Sequence, residues 1–540
     1  MLRQIYDYQR FWPLAIMVVL TVIAVLCWAI DGWPFTLVVI TGGLTALGVH
    51  DIFQEKHAVT RNYPLIGHLR FMFEKIRPEI RQYFVESDQD QVPFSREQRA
   101  LVYQRSKGQA DKRPFGTMRN VYESGYGWLT HSINPTHFED TDFRIMIGGD
   151  KCKQPYSASL FNISAMSFGS LSANAISALN RGAAKGGFAH DTGEGGISRY
   201  HKEGGGDLIW EIGSGYFGCR NDDGTFNPET FKETAALDQV KMIEIKLSQG
   251  AKPGHGGVLP AAKITKEIAE ARHIPMGEDC VSPASHSAFR TPMELVEFIG
   301  RLRALSDGKP IGFKLCIGHR REFMCIVKAM LETGIIPDFI VVDGSEGGTG
   351  AAPIEFTNHM GMPMVEGLTF VHNTLRGAGI RDQVKIGVAG KVTSAFHIAR
   401  ALALGADWCN SARGFMFSIG CIQAQACHTN HCPVGVTTQD PLRQRALNVS
   451  DKTERVARYH RNTLKALGEL AGAAGLEEPA GFLPYHFMQR EADTKMKEGS
   501  DAFAYLPIGF LLDDGTDHIE YRQRWRRANA YDFAPPSKPV

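Results

Sequence analysis

Between residues 11 and 30 the chain carries no charge (FWPLAIMVVLTVIAVLCWAI), and a helix of that length crosses a hydrocarbon core. After Asp31 and Gly32 a second apolar run, 33–49, is shorter and contains Gly42, Gly43 and Gly48; it predicts a return across the same layer. Trp12, Trp28 and Trp33 fall at or near the ends of these runs, where interfacial aromatics are expected. Polarity returns abruptly from Asp51. Residues 1–50 therefore read as a transmembrane helical hairpin, and the length of the charge-free core argues against a cleaved signal peptide.

From 51 to 155 the pattern is mixed, with helical periodicity over 64–86 and 96–107, and reads as a connector or cap. Beyond Ser157 short β-rich runs alternate with amphipathic or alanine-rich ones. SASLFNISAM precedes SLSANAISALNRGAAKG, MIEIKLS precedes PAAKITKEIAEAR, and IGFKLCI precedes EFMCIVKAMLETG. DFIVVDG leads to EGLTFVHNTLRGAG, and VKIGVAG to TSAFHIARALALGA. Such βα repeats predict an α/β fold with a parallel sheet. Their number across 156–480 favours a closed (β/α)8 TIM barrel over a doubly wound sheet, with function in the loops after strand C-termini. Residues 481–540 form a tail.

Charge changes the picture little. Lys+Arg 59 against Asp+Glu 58 gives +1, so no global electrostatic case exists for nucleic acid. Arg3 and Arg10 before the first span, and Lys56 and Arg61 after the second, place both ends on the cytoplasmic side. The expected location is the cell inner membrane, multi-pass, with the catalytic body cytoplasmic. Ten cysteines, three of them clustered, suit reduced intracellular usage with a metal site.

Those three, Cys421, Cys427 and Cys432, lie in GCIQAQACHTNHCPVGV, with Pro433 after the last. Soft thiolates held close together suit an iron–sulfur cluster or zinc. The spacing lacks a Cys-x-x-Cys pair, so zinc requires His428 or His431 as a further ligand. Gly344, Gly347, Gly348 and Gly350 follow one strand run, and Ala389, Gly390 and Lys391 follow the next. Small residues there let backbone N–H groups approach an anion, and late barrel loops often bind phosphate. Lys246, Gln249 and Lys252 in KLSQGAKPGHGG offer cationic and amide donors for carboxylates. Around Trp525, the tail's Arg522, Arg524, Arg526 and Arg527 read as a solvated segment, a lipid contact or cover for a subunit surface.

The segment CIQAQACHTNHCPVGVTTQDP resembles the 3Fe-4S-binding loop of the glutamate synthase family. NISAMSFGSLS, DTGEGGI, EIKLSQGAKPGHGG, FKLCIGH, VVDGSEGGTGAAP and VAGKVTSAFHIARALALGAD resemble it further, in the family's order. The resemblance implies a 3Fe-4S cluster on Cys421, Cys427 and Cys432, and FMN. The FMN phosphate would rest on Gly348, Thr349, Gly390, Lys391 and the Ala412–Arg413 backbone, with Gly347 and Ala389 also in the cofactor site. Its ring would lie against Ala165, Met166 and Ser167, with Lys314 at the pyrimidine edge. Lys246, Gln249 and Lys252 would bind 2-oxoglutarate, and Glu194 would stand where ammonia arrives, so Glu194, Lys252 and Lys314 are the expected catalytic residues. Electrons passing from the cluster to FMN would reduce 2-iminoglutarate to L-glutamate.

Two departures loosen the substrate assignment: His255 stands where the family has an acid, and SPASHSAF replaces a Pro- and His-rich segment. Met1-Leu2 leads straight into the apolar run, so the expected partners are an external electron donor such as a ferredoxin or reductase subunit and, for ammonia, solution or a separate glutaminase subunit. Other readings are an N-methylglutamate synthase-like subunit using an amine, a membrane-bound electron-transfer subunit without amination, and a zinc-stabilised scaffold.

Overall fold

The computed structural model describes residues 9–54, 57–87, 90, 93–259, 261–513 and 517–534. Arg3 and Lys56, two of the charges used above to orient the spans, lie outside the described residues. The chain divides into two compact units, Met1–Asp88 and Gln89–Val540.

The first unit contains two apolar helices, Trp12–Asp31 and Phe35–Phe53, both long and apolar enough to cross a membrane. Pro13 opens the first, where its missing N–H costs no helical bond, and Gly32 closes it in the left-handed conformation. The Thr21 and Thr45 hydroxyls meet at 2.8 Å between the helices. At the open end of the hairpin, buried Asp51 accepts from the Leu65 N–H at 3.0 Å and contacts His68 Nε2 at 2.9 Å. These contacts hold the start of a further helix, Gly67–Ile80, which runs on as a π turn over Arg81–Val85.

The second unit is built on a closed barrel of eight parallel strands, the fold expected from the βα alternation. We number them β1 (Phe161–Ile163), β2 (His190–Asp191), β3 (Leu208–Ile212), β4 (Val240–Lys246), β5 (Ile311–Leu315), β6 (Phe339–Asp343), β7 (Lys385–Ala389) and β8 (Trp408–Ser411). They follow chain order around the barrel, and β8 closes on β1 with Asn410 beside Asn162. Alternate residues point inward. The lower interior is apolar, with Ile209, Met242, Phe339, Val341 and Trp408 packed together. Gly312 and Gly387 make room for the Phe339 and Trp408 rings, which a Cβ at either glycine would strike. A hairpin of Arg144–Ile147 with Tyr156–Ser159 plugs that end through Ile147 and Tyr156.

The tail is not a solvated segment. Its helix Ile519–Arg527 packs on the barrel helix Arg320–Thr333. Trp525 and Arg522 are buried; Lys328 lies over the Trp525 ring at 5.2 Å, and the Arg522 guanidinium covers Phe510 at 3.9 Å. The basic side chains that looked free in sequence are in part spent on holding the chain end to the barrel.

Candidate active site

Above the apolar layer the interior of the barrel turns polar. Asp191 at the end of β2, Glu211 on β3, Glu244 on β4 and Lys314 on β5 are all buried. Lys314 Nζ bonds Glu211, lies 3.0 Å from a Glu244 oxygen and 3.9 Å from Asp191. One cation cannot balance three carboxylates. Burial raises the Glu244 carboxyl well above the ordinary range, and the nearby Asp191 and Asp343 charges add to the rise. Asp191 is raised too, by burial, although Lys314 opposes it. Among the described residues, Asp191, Glu211 and Glu244 are the one trio of His, Cys, Asp or Glu side chains close enough to share a single ion; the lysine ammonium occupies their centre.

Glu211 also lines a cavity of about 480 Å³ at the strand C-termini, a size suited to a cofactor or substrate. Three groups of residues meet on its wall. Glu194, Lys246, Gln249 and Lys252 form the first. Glu194 pairs with Lys246 at 3.0 Å. Burial pushes the Glu194 carboxyl up, but Lys246, Arg272 and Lys252 outweigh it and hold the group below its ordinary value. Lys252 donates to the Gly256 carbonyl at 3.1 Å, and burial lowers its ammonium. His286, in the departing segment SPASHSAF, fixes the backbone beneath them through the Lys246 carbonyl at 2.9 Å. His255 is exposed, its ring edge against Phe356 at 5.3 Å.

The second group is Gly348, Thr349, Ala412 and Arg413, facing Ala165, Met166 and Ser167. Gly193, at φ +65°, follows β2 so closely under this last segment that a Cβ would sit 2.6 Å from the Ser167 nitrogen. Arg413 donates to the Glu346 carbonyl at 2.6 Å and covers Phe94 at 4.6 Å. A Cβ on Gly348 would stand 2.8 Å from its guanidinium. Burial draws Arg413 down to about 10, and burial with the Arg413 charge lowers Lys391. Two desolvated cations beside small-residue loops form an electropositive recess that suits a phosphate.

The third group is the cysteine loop, and Cys421, Cys427 and Cys432 all line the same cavity. Burial raises Cys432, but N–H groups at Thr437, Val434 and Val436 bring its thiol below the ordinary value. Burial lifts Cys421 to about 12, and the other two sulfurs add to it. These three are not a single-ion group among the described residues. Tetrahedral zinc needs its sulfurs roughly 3.8 Å apart, from Zn–S bonds of about 2.3 Å. A larger multi-iron centre fits the donor set better, and cationic iron would relieve the mutual repulsion of three thiolates. Gln423, Gln425 and Asn430 all take left-handed backbone (φ +60°, +56° and +64°) within this loop.

Of the nineteen residues to which the resemblance gives a role, fourteen line the cavity and five do not: Gly347, Ala389, Gly390, Lys391 and Lys314. The first three are backbone beneath the loops, and Lys391 points at Phe94 from 5.9 Å. Lys314 is turned into the carboxylate cluster, not onto the wall. Sequence reading passed over Asp191, Glu211, Glu244, Lys263, Arg272 and Phe94. Lys263 donates to the Cys427 carbonyl at 2.8 Å, and Arg272 to the Phe168 carbonyl at 3.2 Å. Glu211 and Glu244 did leave a signal, a carboxylate inside the apolar runs LIWEI and MIEI. The segment before the barrel, which carried no assigned chemistry, supplies Phe94 and also Tyr103, whose hydroxyl donates to the Cys421 carbonyl at 2.6 Å.

Comparison with known proteins shows the family of the chain. Residues 129–477 match the family model described as the conserved region in glutamate synthase. The chain is 38% identical over 486 residues to the glutamate synthase large subunit-like protein YerD of Bacillus subtilis (strain 168), covering 82% of this chain and 92% of that one. It is 36% identical over 313 residues to the archaeal-type glutamate synthase (NADPH) of Thermotoga maritima, and 34% over 314 residues to the archaeal glutamate synthase (NADPH) of Archaeoglobus fulgidus. Each of the latter two matches covers 58% of both chains.

Proposed function

Because the chain belongs to the glutamate synthase family, we propose that it is an FMN- and 3Fe-4S-dependent oxidoreductase that reductively aminates 2-oxoglutarate to L-glutamate. A single observation carries the reading: one cavity is lined by the Glu194–Lys246–Lys252 group, by the Gly348–Arg413 recess and by all three clustered cysteines. When bound, FMN supplies hydride chemistry at the substrate carbon and the iron–sulfur cluster supplies single electrons.

The protein's own residues do the rest. Arg413, with the Gly348–Thr349 backbone, would hold the phosphate; Cys421, Cys427 and Cys432 would hold the iron. Lys246, Gln249 and Lys252 would grip the two carboxylates of the oxo acid and so orient its carbonyl carbon, and placement of this kind removes much of the entropic barrier. Glu194, held ionised by its cationic neighbours, suits the binding and orientation of ammonium by hydrogen bonds; ammonium loses one proton to solvent, the resulting ammonia attacks the carbonyl carbon, and the carbonyl oxygen leaves as water when the imine forms. The apolar hairpin anchors the protein in the cell inner membrane with the barrel on the cytoplasmic side. An external donor supplies electrons, and ammonia comes from solution or from a separate glutaminase subunit.

Anaerobic purification followed by dithionite reduction tests this. The protein is expected to carry flavin and iron and to reoxidise only when 2-oxoglutarate and ammonium are both present. A colourless preparation holding zinc, or a reduced protein indifferent to both substrates, overturns it; reoxidation with methylamine in place of ammonium moves the amine specificity.

A further inference from the structure

Of the apolar side chains left uncovered, one set is ordered by the fold and has no part in the site above. In the helix Gly67–Ile80 and the turn Arg81–Val85, the residues Leu69, Met72, Phe73, Ile76, Ile80 and Tyr83 recur at spacings of three and four. At about 100° per residue they fall within a stripe roughly 100° wide. Each is exposed, from 38% at Ile80 to 56% at Tyr83, and Phe84 beside them reaches 85%. Phe71 lies off the stripe, and its ring edge meets His57 at 5.4 Å within the same unit. Two side chains that contact the rest of this unit, His68 and Phe71, both lie off the stripe.

Charge follows the same order. Arg70, Arg77 and Arg81 project along one long border of the stripe, at roughly 80–120° from Leu69 on the same 100° count. Arg70 is paired to Glu74 at 3.0 Å, and the other acid, Glu79, lies on the opposite border. The helix also starts at a defined level. Asp51, at the end of the second apolar helix, holds the Leu65 N–H and His68, while Arg10, before the first, reaches Asn62 at 3.3 Å. Both ends of the hairpin emerge where the amphipathic helix begins.

We infer that residues 67–85 form an interfacial helix, whose apolar stripe lies in the headgroup–acyl boundary of the bilayer crossed by the hairpin, with Arg70, Arg77 and Arg81 at the phosphate level. The inference rests on the membrane anchoring proposed above. Apolar area with a cationic border is the composition that binds such a boundary, and the hairpin brings the helix there without cost in translational freedom. The segment then acts as a second membrane contact between the spans and the barrel unit.

Carbene-generating acyl-chain lipid, mixed into vesicles of phosphatidylcholine and phosphatidylglycerol holding the full-length protein, tests it. After photolysis, mass spectrometry is expected to find adducts on 12–53 and also on Met72, Phe73, Ile76 and Tyr83, with roughly tenfold fewer on Lys75 and Glu74 across the helix. The double variant Phe73→Glu with Ile76→Glu is expected to lose adducts over 67–85 by roughly tenfold or more, since two apolar side chains leave the boundary, while labelling of 12–53 persists. Adducts on the hairpin but none on 67–85 overturn the inference alone and point to a protein covering the stripe. Adducts on neither segment overturn it together with the anchoring.

Discussion

Lys314 is the residue on which the barrel interior most depends. Removing one partner of a buried ion pair leaves an uncompensated charge, at a cost of about 3–5 kcal/mol. Lys314→Met is therefore expected to destabilise the barrel by about that amount in a urea titration, through Glu211, Glu244 and Asp191. On a Glu244→Gln background the same change is expected to cost less, because one carboxylate is already gone. Glu244 further predicts a pH dependence. Its folded-state value is raised, so the folded protein holds a proton that the unfolded chain releases near 4.5. The stability this confers is complete below that value and is lost as pH rises through the folded value. Melting curves from pH 5 to 9 are expected to fall less steeply for Glu244→Gln than for the parent; an unchanged slope sinks the argument. Sequence reading named the wall of the cavity, where Gly, Lys and Cys stand in loops with visible motifs. It passed over this cluster because each acid sits alone in a strand, and only closure of the barrel turns the alternate positions of β2, β3, β4 and β5 toward one another.

Among the elements, the cysteine loop is irregular and tied to its surroundings by several hydrogen bonds. Its left-handed residues cost about 1–2 kcal/mol each for non-glycine side chains, so the loop holds its form only through contacts that over-determine it. Gln423 makes two of them, accepting from the Phe94 N–H at 3.2 Å and donating to the Phe94 carbonyl at 3.3 Å. Gln423→Ala keeps the strained backbone and loses both bonds, which at the low end of their range, about 0.5 kcal/mol each, are worth about 1 kcal/mol net. The expected result in metal-free protein is alkylation of Cys421 by iodoacetamide about fivefold faster, the factor that 1 kcal/mol gives; an unchanged rate shows that other contacts hold the loop. Legibility divides along the same line. Five βα units were visible because strand and helix each ran long enough to show a period. β2 has two residues and β8 reads WCNS, too short or too polar to show one. They exist because neighbouring strands supply the pairing, a tertiary cause that no local window contains.

For the whole molecule, the division into two units sets what can be separated. Every residue lining the cavity falls between Pro93 and Thr437, and the barrel, its hairpin plug and the packed tail all belong to Gln89–Val540. The hairpin has the opposite character. Ile30 is 77% exposed, and Trp12, Ile16 and Val19 each exceed half, where water would cost about 1.5–3 kcal/mol per large apolar side chain relative to burial. Sequence made this contrast plain at the N-terminus, where twenty uncharged residues need no tertiary context, and misjudged the C-terminus, where Arg522 looked solvated until Phe510 gave it a surface to cover. A chain starting at residue 89 removes the apolar helices and leaves the barrel's own contacts intact. It is expected in the supernatant after membranes are pelleted, with the full-length chain in the pellet. Its thermal midpoint is expected within about 2 °C of the full chain's, about the shift that 1 kcal/mol brings to a large domain. A truncated chain that pellets, or melts far lower, would mean that the first 88 residues help hold the barrel together and do more than anchor it.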